Sequence, residues 1–142
     1  MKPLAKYILT FGILIIGTLT LQAQVQRGGA EVRKDMNEAE SYLKHGDARN
    51  LARFFNETIE INIEGKKQNY SRTQAEFVIK DFFSKNPPIP ESFESYHKGQ
   101  SAGLSYSIMK YASSNGNYRV FLKIKSTPQG RNIIDAIDFT RE

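Results

Sequence analysis

Two histidines, His45 and His97, are the side chains whose ordinary pKa lets them move a proton near neutral pH. They lie far apart, with no HExxH or other metal-ligand spacing around them, so no metal site is indicated. The absence of Cys excludes disulfides, Cys-based zinc sites, iron–sulfur clusters and a cysteine nucleophile. Gly99-Gln100-Ser101-Ala102-Gly103 matches G-x-S-x-G in letters, but it falls in a turn between two expected strands rather than between a strand and a helix, so Ser101 is no nucleophile elbow. Gly28-Gly29 and Gly99-to-Gly103 lack the pattern of a phosphate-cradling loop. No cofactor is therefore expected. His45 falls in the last turn of a helical segment, where an imidazole complements the helix dipole, and reads as a capping residue. His97 shares a strand face with Phe93 and Ser95 and is a candidate ligand-binding residue. Tyr106 and Tyr118 join it, because a tyrosine hydroxyl at a cavity mouth is a polar handle for a small ligand.

A second chemistry is electrostatic. Residues 98–142 carry seven basic and three acidic groups, whereas residues 24–97 carry eleven and twelve, so the C-terminal half is the basic half. Arg119, Lys123 and Lys125 alternate with Tyr118, Val120, Leu122 and Ile124, which puts three cations on the outward face of one strand with Phe121 between them. Such a face suits an anionic partner: a polyanionic glycan, a phospholipid head group or an acidic protein. It serves equally as a solvated strand face that resists aggregation. No recognition helix or RNP-type motif is present, and nucleic acid is not expected.

These residues must be positioned by elements of two periods. Val32, Met36, Ala39 and Leu43 recur at helical spacing between Ala30 and His45. Gly46 is a natural stop, and Asp47 is an N-cap for a short second helix with Ala48, Leu51, Ala52 and Phe55 on one face. The period then changes to two. Ile59, Ile61 and Ile63 alternate with Glu60, Asn62 and Glu64, and Gly65-Lys66-Lys67 turns the chain into a return strand through Tyr70. Ser71 and Gln74 form a capping-box signature before a third helix whose stripe is Ala75, Val78, Ile79, Phe82 and Phe83, with an expected Glu76–Lys80 pair on its exposed side. Pro87-Pro88 ends it. Four strands follow, near Ser92–Lys98, Leu104–Tyr111, Tyr118–Lys125 and Ile133–Thr140, and Asn115-Gly116 is the sharpest hairpin signal among them. The order α-α-β-β-α-β-β-β-β implies an α+β domain with three helices packed on a curved, mainly antiparallel sheet.

At the amino terminus Lys2 and Lys6 precede an apolar stretch from Ile8 to Leu21, and Ala23 follows as a small residue. This predicts a signal peptide over residues 1–23, with Gln24–Glu142 as the mature single domain and periplasmic or secreted export. As a helix, the stretch rises only about 21 Å against a hydrocarbon core of about 30 Å, so no stable membrane span is expected after cleavage. Removing the two lysines lowers the net charge from +5 to +3.

The order of elements, the Gly46-Asp47 junction and Phe54-Phe55 running straight into a strand resemble the nuclear transport factor 2-like, or cystatin-like, superfamily. More narrowly, the run from Gly46 to Asn56, Tyr70-Ser71, the run from Asp81 to Pro88, and His97-Lys98-Gly99 resemble domain of unknown function 4783, a family of small exported bacterial proteins. The resemblance implies a cone-shaped roll in which the sheet curls around the helices and leaves a pocket, and a homodimer formed through the sheet. It also implies that a ketosteroid-isomerase-like member would carry an acidic base on the strand after the second helix. Here that strand offers Glu60, Asn62 and Glu64, which face solvent if the isoleucines are buried. The expectation is therefore a non-catalytic module that binds a small apolar ligand or an envelope protein. A pocket enzyme and a structural or assembly protein of the cell envelope are the alternatives.

Overall fold

The computed structural model describes residues 27–101 and 103–142. The expected signal segment, 1–23, lies outside them. Helix α1 runs through residues 27–44 and buries the four predicted stripe residues, Val32, Met36, Ala39 and Leu43. Gly46 stops it with a φ of +65°, a left-handed conformation that costs glycine nothing. His45 closes the last turn by donating from Nδ1 to the Ser41 carbonyl at 2.8 Å, as expected of a capping residue.

Asp47 then caps α2 (Ala48–Leu51), accepting from the Asn50 N–H at 3.0 Å and from the Asn50 side chain at 2.6 Å. The helix is shorter than its apolar pattern suggested. It tightens into a 3₁₀ turn over Ala52–Phe54, and Phe55 already belongs to strand β1 (Phe55–Ile63). The hydrogen bonds from Asn50 hold the Asp47 carboxyl below its ordinary value. Because the folded-state pKa is depressed, the cap's stabilisation is present above the unfolded value near 3.8 and is lost as pH falls through the folded value. Asp47→Ala is expected to cost about 1 kcal/mol at neutral pH. In urea titrations the gap from wild type should narrow steadily below about pH 4.

β1 turns through Glu64-Gly65 into β2 (Lys66–Ser71), one residue earlier than the predicted turn. Ser71 caps α3 (Arg72–Lys85), and the capping box with Gln74 is complete. Ala75, Ile79, Phe82 and Phe83 are buried and Val78 packs half-buried beside them, which is the predicted stripe. The i,i+4 ion pair on this helix joins Asp81 to Lys85 at 2.7 Å rather than Glu76 to Lys80. After a 3₁₀ turn at Pro90–Ser92 come β3 (Glu94–Ser101), β4 (Leu104–Ser113), β5 (Gly116–Ser126) and β6 (Asn132–Arg141). The tight turn before β5 is Ser114-Asn115, since Ser113 pairs with Gly116 and that glycine already starts the strand.

The six strands form one sheet in the order β2-β1-β6-β5-β4-β3. β3 to β6 are the expected antiparallel meander, and a parallel pairing of β1 with β6 joins the first hairpin to it. Alternation then sorts the side chains. Ile59 and Ile61 of β1, Met109 and Tyr111 of β4, Tyr118, Val120, Leu122 and Ile124 of β5, and Ile134, Ile137 and Phe139 of β6 are buried in one core with the helical stripes. No helix among the described residues is long and apolar enough to cross a membrane.

Candidate functional site: a groove beside helix α3 and the tyrosine behind it

The resemblance implied a pocket between the sheet and the helices. At the centre of that space, aromatic side chains occupy the volume. Phe82 lies with its ring centroid 4.4 Å from that of Phe139 and 5.2 Å from that of Tyr118, and Phe83 meets Phe139 edge-on at 6.0 Å. Tyr111 stacks on Tyr118 at 5.5 Å, and burial pushes its phenol pKa up.

Of the predicted ligand-binding residues, Tyr118 is the one hydrogen-bonded to residues that line a cleft, although it lies behind them and lines no cleft itself. Its ring is wholly buried, and its hydroxyl donates to Asn86 Oδ1 at 2.8 Å with Glu64 Oε1 at 3.2 Å. Arg141 Nη2 donates to the same oxygen at 2.8 Å, and Arg141 Nε reaches Glu64 at 3.2 Å. The Asn86 amide donates in turn to the Phe82 carbonyl at 3.2 Å, which fixes its orientation and aims its oxygen at the tyrosine. Asn86 and Glu64 also form the polar end of an open groove of about 480 Å³. Ile63, Phe77, Val78 and Phe82 give it an apolar floor and wall, with Asp81 and Lys85 on the rim. Phe77 is 63% exposed, a large apolar side chain standing outside the buried stripe of its own helix.

Glu64 holds this position at a φ of +50°, unusual for a residue other than glycine or asparagine. A two-residue hairpin turn ordinarily carries Asn-Gly there, and Glu64-Gly65 keeps only the glycine. The departure brings the carboxylate round to Tyr118 and Arg141. Glu60 pairs with Lys67 at 3.0 Å, and Asn62 donates to Asp138 at 2.6 Å while its own Oδ1, buried, has no partner among the described residues. No member of this strand's polar set points into the core.

His97 and Tyr106 lie on the opposite side of the sheet. Ser95 pairs with Met109 but His97 pairs with Ile108, so a bulge at Tyr96 inserts one residue and reverses the alternation. His97 consequently faces away from the helices, contrary to its expected grouping with Ser95. Its Nε2 lies 3.2 Å from the Tyr106 hydroxyl, and Tyr106 stacks on Phe121. Gly99 leaves room for this stack, because a Cβ there would come within 2.3 Å of the Tyr106 ring and displace it. Arg119, Lys123 and Lys125 share this outer face, as alternation predicted. Lys123 is paired with Asp135 at 3.1 Å, and Arg119 lies opposite Lys110 of β4, whose ammonium binds Glu142 and sits over the Tyr96 ring.

The same bulge turns Lys98 inward. Its ammonium lies 2.9 Å from Glu40 Oε2, and it donates to Asn37 Oδ1 at 2.8 Å. Glu40, only 8% exposed, accepts from Ser107 at 2.6 Å and from Ser95 at 3.3 Å. Among the described residues no three acidic or histidine side chains cluster as metal ligands.

Residues 36–140 match the family model described as Domain of unknown function (DUF4783). The chain belongs to the DUF4783 family. A DUF4783 protein from Bacteroides ovatus superposes with a TM-score of 0.66 at 24% identity, covering 72% of this chain and 90% of that one. Another from Bacteroides uniformis gives 0.67 at 22% identity, covering 72% and 92%. An NTF-2 like protein of unknown function from Burkholderia xenovorans gives 0.58 at 11% identity, covering 80% and 86%, and extends the likeness of fold to the nuclear transport factor 2-like class. No curated protein matches the chain. In this DUF4783 domain the fold is the expected roll, and the groove beside α3 opens onto Asn86 and Glu64, the hydrogen-bond partners of the sequence-predicted Tyr118 buried behind them.

Sequence reasoning singled out Tyr118, named Glu64 only as a solvent-facing acid of the strand, and missed Asn86 and Arg141. Asn86, Glu64 and Arg141 belong to a helix C-terminus, a hairpin turn and the last strand, and only the tertiary fold brings them together. Phe77 did leave a signal: it is a phenylalanine off the apolar stripe of an otherwise regular amphipathic helix.

Proposed function

We propose that this protein is an exported, non-catalytic binding module that takes a small apolar ligand in the groove beside α3. The observation that carries the reading is Phe77, held in the open on the wall of an apolar groove whose polar end is Asn86 and Glu64, both hydrogen-bonded to the Tyr118 buried behind them. Export rests on the basic and apolar pattern of residues 2–23. The acids near the groove are engaged by cations, Glu64 by Arg141 and Asp81 by Lys85, an arrangement suited to orienting a ligand rather than taking its proton.

The neutral dye Nile red provides a probe of the groove. Its fluorescence should rise on titration to a single saturating site. Phe77→Asp should weaken that binding at least about tenfold, a change of about 1.4 kcal/mol. The side chain is largely outside the core, so the unfolding midpoint should move by no more than about 0.5 kcal/mol equivalent. Dye binding that ignores Phe77→Asp, or no binding at all, overturns the reading.

A second reading, contact with an envelope protein or with a second copy through the outer sheet face, is favoured by Tyr96. That ring is 46% exposed and borders a shallow depression with Ile108, Arg119 and Phe121.

A further inference from the structure

The opposite end of α3 carries a different kind of opening. A cleft of about 490 Å³ lies between α1, the 3₁₀ turn after α2, the start of α3 and the β5–β6 turn. Lys34, Arg53, Arg72 and Arg131 line it against two carboxylates, Glu31 and Asp35. Asp35 is occupied by the Asn132 amide, which donates to it at 2.7 Å and so ties the β5–β6 turn to α1. Among the described residues, none of the four cations stands within ion-pair distance of a carboxylate, although six ion pairs form elsewhere on the domain. A smaller adjoining hollow shares Arg53 and Arg72 and adds Arg49.

Arg72 is anchored at the edge of the cleft. Its Nε donates to the Phe55 carbonyl at 3.0 Å, which fixes one edge of the guanidinium and leaves the Nη edge available. It is also the first residue of α3, a helix with no acidic residue in its first turn. A cation at that position opposes the helix dipole, and an anion beside it reverses the sign of the local interaction. Arg131 sits on a turn closed by Thr127, whose N–H donates to the Arg131 carbonyl at 2.8 Å and whose hydroxyl accepts from the Arg131 N–H at 3.1 Å. Phe54, packed on Tyr42, supplies an apolar wall.

We infer that this cleft binds a phosphate monoester with an apolar body, its phosphate among Arg53, Arg72 and Arg131 and its body against Phe54. Guanidinium forks match phosphate oxygens in pairs, and three around one dianion give both charge and orientation. The site is separate from the groove proposed above and stands or falls independently of it.

Isothermal titration of the purified protein with phenyl phosphate at low ionic strength tests the inference, with inorganic phosphate as the comparison. Phenyl phosphate should bind at one site, at least tenfold more tightly than inorganic phosphate. Arg72→Gln and, separately, Arg131→Gln should each weaken it at least tenfold. Arg131 lies on an exposed turn, so its variant reads the site without perturbing α3, and thermal unfolding followed by circular dichroism confirms that each variant is folded. Equal affinity for the two ligands overturns the assignment of an ester in favour of a free oxyanion. Absence of binding, or binding indifferent to both substitutions, overturns the site.

Discussion

Phe139→Ala is expected to lower the free energy of unfolding by about 3–5 kcal/mol, the range measured for aromatic truncation in a close-packed core. A domain of ordinary stability has about 5–15 kcal/mol in all, so the variant should sit near the limit of folding. The reason lies in what Phe139 touches. It is fully buried on β6, with Phe82 at 4.4 Å and Phe83 at 6.0 Å from the α3 side, and the backbone places it opposite Val120 of β5 and Ile63 of β1. These side chains fill the space that a pocket would occupy in an open roll. Removing the ring leaves a void with apolar walls, and such a void stays dry and accepts a small aromatic guest. Benzene at saturation should therefore recover part of the lost stability in urea denaturation of Phe139→Ala and none in wild type. A loss below about 1.5 kcal/mol, with no response to benzene, would mean that the roll is loosely filled and that a ligand can enter it between sheet and helices.

That result bears on what was legible in the sequence. The stripes of α1 and α3 could be read from spacing alone, because each helix has one buried face and the period reports it directly. The caps were equally local: Ser71 with Gln74, and Asp47 with Gly46, act within a few residues of themselves. The filling of the pocket was not legible. The fourteen phenylalanines and tyrosines from Gln24 onward can line a cavity or occupy it with the same alternation, and only the distances between Phe82, Phe139 and Tyr118 decide between the two. Nor was the direction of His97. Alternation assumes an unbroken pleat, and one inserted residue at Tyr96 moved His97 to the outer face and Lys98 to the inner one. The residues around Tyr118 were hidden for a third reason, since Glu64 reaches it from a backbone conformation that its residue type rarely adopts.

The inward turn of Lys98 leads to the second large effect, expected at Glu40. Glu40→Ala should cost about 2–3 kcal/mol, because truncation leaves the wholly buried Ser107 hydroxyl without the carboxylate it donates to, and leaves Lys98 without its counter-charge. Glu40→Gln keeps an acceptor in place and gives up only the charge, so about half of that loss should remain. Ser107→Ala added to Glu40→Ala should restore part of it, with a coupling of at least about 0.5 kcal/mol, since the hydroxyl is then no longer stranded. Urea denaturation of the four proteins in this cycle measures each step. The sign of the first step separates two roles for the most enclosed carboxylate in the domain. A group whose oxygens are taken by Ser95, Ser107 and Lys98 braces α1 against β3 and β4, and its loss destabilises. A carboxylate buried for chemistry is held at a cost to the fold, and its removal leaves stability unchanged or raised. Glu40→Ala of equal or greater stability than wild type would thus bring back a pocket enzyme, with Glu40 rather than Glu60 or Glu64 as its acid.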